Sequence, residues 1–151
     1  MANLEKSLNL IRHTQADYYG ISRKFFPKWA GWEEYDLGLK PNDKYVKDFY
    51  KEFFWDRLLL DLVESQDISD LIFLFSTKCG KKKLVQKLDR IFDTSSDGCM
   101  TAELVQCLNK SDQEKIFLLL YAELVEFLWM IERKQDFLEI LKVYNKFCQS
   151  I

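Results

Sequence analysis

With 151 residues, 48% of them hydrophobic and 15% aromatic, the chain is long enough for one domain with a substantial core and too short for two comfortable ones. Its 22 basic and 24 acidic residues are interspersed and leave a net charge of -2, so there is no basic field to hold nucleic acid. Cys79, Cys99, Cys107 and Cys148 form no Cys-x-x-Cys pair and sit in apolar or helical contexts, which points to buried reduced thiols and to no metal site, cofactor or disulfide framework.

The N-terminus has neither a basic leader nor an apolar run ending in a small-residue cleavage site, so the expectation is cytoplasmic synthesis without a signal peptide. Leu4, Leu8 and Ile11 are spaced as one stripe of a helix that Asn3 can cap and that ends around His13. Tyr19-Gly20 breaks that pattern, since glycine accepts positive backbone angles, and a short helix over Ser22 to Phe26 is stopped by Pro27. From Lys28 to Asn42, Gly31, Gly38 and Pro41 alternate with Trp29, Trp32, Tyr35 and Leu37, which predicts a loop pinned by its aromatics.

Asn42 caps a predicted long helix that buries Val46, Phe49, Tyr50 and Phe53, then Trp55, Leu58, Leu59 and Leu62. Ile68, Leu71, Ile72 and Phe75 mark the next helix, ended by Gly80 in a left-handed conformation. Lys81-Lys82-Lys83 reads as a solvated helix start, followed by the stripe Leu84, Leu88, Ile91 and Phe92. Asp93 to Gly98 is a polar turn before a short helix bearing Leu104, Cys107 and Leu108. Ser111-Asp112-Gln113-Glu114 has the form of a capping box, and it precedes the nearly all-apolar run Ile116 to Ile131. That run is shorter than a membrane span and contains Glu123 and Glu126, so it is read as the central, most buried helix of the core. Phe137, Ile140, Leu141, Tyr144, Phe147 and Cys148 form the face of a last helix. No strand pattern or internal repeat is present, and the expected fold is all-α.

The segment Tyr18-Tyr19-Gly20-Ile21-Ser22 resembles the Tyr-Gly-Ile-Ser segment of the phage and bacterial N-acetylmuramidases of glycosyl hydrolase family 108. Tyr50-Lys51-Glu52-Phe53-Phe54-Trp55-Asp56 is similar to that family's Tyr-Lys-x-x-Tyr-Trp-Asp helix. Phe73 to Gly80, Val85 to Leu88, Asp97 to Met100 and Phe137-Leu138-Glu139 resemble segments of its peptidoglycan-binding helical region, with apolar positions matched and polar ones replaced. The resemblance implies a single lysozyme-like helical domain with a muramidase-like part over 1-63 and a peptidoglycan-binding-like part over 64-151. It also implies an endolysin that leaves the cytoplasm through a separate pore and acts on the cell wall.

The family's catalytic glutamate and glycine-rich loop have no counterpart in Arg12-His13-Thr14-Gln15-Ala16-Asp17. Glycoside hydrolysis requires a protonated carboxyl and an opposing carboxylate or positioned water, so no catalytic set is identified. His13 and Asp17 carry titratable groups near the gap, but His13 reads more plainly as a polar residue at a helix end and Asp17 as a solvated surface acid, a poor proton donor. Glu33 and Glu34 are the replacement acids, since Trp32 and Tyr35 beside them can desolvate a carboxyl; the plainer reading is a charged pair facing water. Tyr18, Tyr19, Trp29, Trp32 and Tyr35 are the candidate ligand-binding residues, either stacking on sugar faces or anchoring the loop.

Three functions are therefore open. The protein binds peptidoglycan or a protein partner without cleaving it, it is an active muramidase with a relocated acid, or it is a helical interaction protein that binds no glycan.

Overall fold

The computed structural model describes residues 1-11, 18-130 and 137-151, with side chains in the last stretch from residue 140 onward. The fold is all-α, and among the described residues there is no strand, only an isolated bridge between Tyr18 and Ile21. The stretch from Arg12 to Asp17, the residue Ile131 and the side chains of Phe137, Leu138 and Glu139 lie outside what is described.

Helix α1 is Leu4–Leu8, capped by the Asn3 side chain, which accepts from the Glu5 N–H at 2.9 Å. It is shorter than its stripe suggested, because Leu10 and Ile11 continue as tight turns bonded back to Ser7 and Leu8. The region expected to be loop contains a helix, α2 at Gly31–Asp36, with Glu33 and Glu34 in its first turn, where the helix dipole favours acids.

Helix α3 is Asp43–Tyr50, capped as expected by Asn42, which accepts from the Lys44 N–H at 2.9 Å. The predicted continuation to Leu62 is instead broken into a π-helical turn, Lys51–Trp55, and two short 3-10 turns, Asp56–Leu58 and Leu60–Leu62, around a left-handed Leu59. These irregular turns let Trp55 sink to 1% exposure while its indole N–H donates to Asp61 at 2.7 Å. Lys81 supports the same segment, donating to the Phe53 carbonyl at 2.6 Å.

Helix α4 is Gln66–Cys79, started by Ser65, whose hydroxyl accepts from the Ile68 N–H at 3.3 Å. Gly80 alone separates it from α5, Lys81–Phe92; its φ of 88° and ψ of 146° are not the left-handed helical cap expected but are still a pairing suited to glycine. Two of the three lysines at this start are not simply solvated. Lys81 lies 4.5 Å from the centre of the Phe54 ring and Lys83 lies 4.2 Å from that of Phe127. Burial also pushes the Lys81 ammonium below its usual pKa, with Arg57 adding to the shift.

The polar turn ends in Asp97 and Gly98, both at positive φ, and α6 follows at Ala102–Lys110 with Thr101 as its cap. Helix α7, Gln113–Met130, is started by Asp112, which accepts from the Lys115 N–H at 3.0 Å. Ser111, expected to head a capping box, donates instead to the Cys107 carbonyl at the end of α6. Helix α8 is Phe137–Ser150.

The centre of the molecule is α4 and not α7, which corrects the expectation drawn from apolarity. Every residue from Ile68 to Ser76 is buried, because α1, α5, α7, α8 and the π-helical turn all pack against α4. Helix α7 buries Ile116, Phe117, Leu120, Leu124 and Leu128 but leaves Leu118, Leu119, Trp129 and Met130 exposed. The cysteines also differ from the buried thiols expected: Cys99 and Cys148 are exposed, and Cys79 and Cys107 are only half-buried. Among the described residues no helix is long and apolar enough to cross a membrane.

Candidate functional site: an aromatic groove

The site begins with a reciprocal pair of backbone bonds. Ile21 N–H donates to the Tyr18 carbonyl at 2.8 Å and Tyr18 N–H to the Ile21 carbonyl at 3.3 Å, closing a tight turn. Both central residues have positive φ, 47° at Tyr19 and 77° at Gly20, the pattern of a type I′ turn. Glycine takes this without strain, whereas tyrosine does not. The Tyr50 hydroxyl holds the strained residue by donating to the Tyr19 carbonyl at 2.5 Å. The turn drives Ile21 fully into the core and leaves the two tyrosines half-buried at the surface.

The five aromatics singled out in the sequence come together as one cluster. Tyr18 lies 5.0 Å from Tyr19, 5.9 Å from Trp29 and 5.9 Å from Tyr35, measured between ring centres. Trp32 packs edge-on against Trp29 at 4.8 Å and Tyr35 at 5.6 Å. Their roles separate by burial. Trp32 is 5% exposed, its indole N–H donates to the Phe26 carbonyl at 2.8 Å, and Arg23, paired with Asp36, lies over its ring, so it anchors the fold. Trp29 is half-buried and ties the loop to α3 through its N–H bond to the Tyr45 carbonyl at 3.1 Å. Tyr35 is 41% exposed. Burial pushes the Tyr18 phenol above its usual pKa.

Trp29 leads into a feature that sequence reasoning missed. A groove of about 690 Å³ runs between residues 25-30 and the α3 wall, with Phe25, Phe26 and Trp29 on one side and Tyr45, Phe49 and Phe53 on the other. Phe26, Phe49 and Phe53 make a packed floor, with ring centres at 4.6, 5.2 and 5.0 Å for the three pairs. Asp48 on α3 and Glu52 in the π-helical turn after it line one side, and Lys28 is on the loop side. The signal available in the sequence was the paired Asp48-Phe49 and Glu52-Phe53, four residues apart, which places both aromatics on one helix stripe and both acids on the next.

The candidate acids are distributed in a way that bears on chemistry. Glu34 accepts from the Asn42 N–H at 2.6 Å and so braces the residue that caps α3, while Glu33 is exposed on α2. Neither lines the groove. Glu5 is paired with Lys47, which holds its carboxyl below the usual carboxylate range through a hydrogen bond and charge attraction. Asp48 is ion-paired with Lys44 at 2.5 Å, and both groove acids sit on the same wall. His13 and Asp17 lie outside the described residues. Among the described residues no group of histidines, cysteines and acids is arranged to hold a metal ion.

Comparison with protein-family models gives no match, and comparison with curated protein sequences gives none either.

Proposed function

We propose that this protein recognises the glycan of peptidoglycan without hydrolysing it, on a scaffold derived from the muramidase fold. The observation that carries this reading is the groove itself, an aromatic trough whose two carboxylates stand on one wall. The trough suits a sugar strand, since pyranose rings present apolar faces that aromatic side chains cover, and a concave apolar site with a few polar groups is the usual form of a ligand pocket. Cleavage requires a proton donor on one side of the glycosidic bond and a carboxylate or base on the other, and Asp48 and Glu52 do not oppose each other. The resemblance of Tyr18 to Ser22 and Tyr50 to Asp56 to muramidase segments supports the choice of peptidoglycan among glycans.

The experiment is a pull-down on purified cell walls, with release of soluble muropeptides measured on the same samples. Retention of the wild type, its loss in Phe53→Ala and Trp29→Ala variants that circular dichroism shows to be folded, and no muropeptide release are expected. Equal retention of all three proteins removes the groove as the site. Muropeptide release shows an active hydrolase, and Glu52→Gln and Asp48→Asn are then the variants that locate its acid.

A further inference from the structure

Resting on the glycan reading above, we infer that the groove selects a strand whose amino sugars carry free, positively charged amino groups over its N-acetylated counterpart. The argument is charge complementarity along one wall. Asp48, near the end of α3, and Glu52, in the π-helical turn that follows, are four residues apart and line the groove together with Phe49 and Phe53 of its floor. A sugar ring lying on that floor brings its ring substituents to this edge.

Glu52 is exposed and makes no ion pair among the described residues. Asp48 has Lys44 as its partner, but the two side chains are 54% and 71% exposed, so the pair is weak and a ligand cation exchanges for it readily. An ammonium supplies charge-assisted donors to these carboxylates and is also favoured over the half-buried ring of Trp29 and the exposed ring of Phe25. An acetamido group offers one neutral N–H and no charge, so it makes the weaker contact with the same carboxylates. Among the described residues that line the groove, Lys28 on the facing wall is the positive one, against the two acids Asp48 and Glu52 on the opposite wall.

The protein already accommodates an ammonium in this manner on the other side of the same segment. Lys81 lies over the Phe54 ring at 4.5 Å while donating to the Phe53 carbonyl at 2.6 Å. Aromatic face plus oxygen acceptor is the pairing that the groove offers to a ligand.

The test is binding of two soluble probes, a glucosamine hexamer and an N-acetylglucosamine hexamer, by titration calorimetry in slightly acidic, low-salt buffer. The glucosamine hexamer is expected to bind about three- to fivefold more tightly, the range for ammonium contacts to exposed carboxylates. Glu52→Gln should bring the two affinities close together. Phe53→Ala should weaken both, and Glu103→Gln, an exposed acid on α6, should change neither. Equal or tighter binding of the acetylated hexamer overturns the inference while leaving the glycan reading in place. So does a preference that falls as much in Glu103→Gln as in Glu52→Gln, because it then reflects bulk charge. If neither hexamer binds, the inference fails, and wall retention decides separately whether glycan recognition survives elsewhere on the protein.

Discussion

The hydroxyl of Ser7 donates to the carboxylate of Asp70 at 2.6 Å, across a chain separation of 63 residues, in a spot closed to water. Asp70 is 1% exposed and also accepts from Gln66 at 2.7 Å and from the ammonium of Lys146. One carboxylate thus ties α1 and α8 to the central helix. A buried charge is tolerated only when its hydrogen-bonding capacity is met, and here three donors from three helices meet it.

Removing one donor tests that arrangement. Ser7→Ala is expected to cost about 1.5–3 kcal/mol, the range for a hydrogen bond to a charged group. Lys146→Met, which leaves the buried carboxylate without its cation, should cost about 3 kcal/mol or somewhat less, because the lysine side chain is 45% exposed. Urea denaturation followed by circular dichroism measures both. Unchanged midpoints in the two variants would show that α8 is not docked on Asp70.

The central position of α4 makes a contrast that composition does not. Leu74→Ala on α4 and Leu120→Ala on the inner face of α7 are each expected to cost about 2–5 kcal/mol, since both residues are fully buried. Leu119→Ala, on the outer face of α7, should cost less than about 1 kcal/mol, as for most surface substitutions. Three similar losses would place the outer face of α7 in the core.

Gly31 is required by Trp29. A Cβ at this position would fall 2.2 Å from the Trp29 ring, too close for any real contact. Gly31→Ala should therefore push the indole out of place and cost about 1–3 kcal/mol, as overpacking does. Indole N–H resonances read this directly, and a Trp29 signal unmoved in the variant argues against the packing described.

Acid sensitivity is expected at the turn after α5. The Thr94 hydroxyl holds the Asp89 carboxyl below its ordinary value of 3.8, with the Ser96 hydroxyl and N–H adding to the shift and burial opposing it. A lowered folded-state pKa contributes stability that is complete above the ordinary value and is lost as pH falls through the lowered one. Thr94→Val should move the Asp89 titration upward in carboxyl-detected NMR. Asp89→Asn should remove this part of the acid dependence, and a titration in Thr94→Val identical to wild type would exclude the hydroxyl as its cause.

Local signals were legible in the chain. Asn3 and Asn42 cap the helices they were expected to cap, because an N-cap is decided by a side chain and the backbone two or three residues on. The helical stripes of α4 and α5 and the polar turn before α6 follow from spacing, and so does the all-α fold, whereas the short helix expected over Ser22 to Phe26 is only a hydrogen-bonded turn. Ser111 shows where local rules stop, since its hydroxyl is taken by the Cys107 carbonyl and Asp112 caps α7 in its place.

Which helix is central was not legible, since apolarity measures surface available for burial, while burial itself depends on how many neighbours surround an element. Helix α4, with Ser69, Asp70 and Ser76 on it, is enclosed on all sides, and the more apolar α7 is not. The candidate site divides the same way. The five aromatics around Gly20 could be read as a group from their closeness in sequence, but Trp32 was turned inward by partners at Phe26, Arg23 and Asp36. The groove needs residues 25-30 to meet Phe49 of α3 and Phe53 of the π-helical turn, some twenty residues further along. Spacing within each segment determined its own face, and only tertiary packing, which sets the distance between those faces, left an open trough between them.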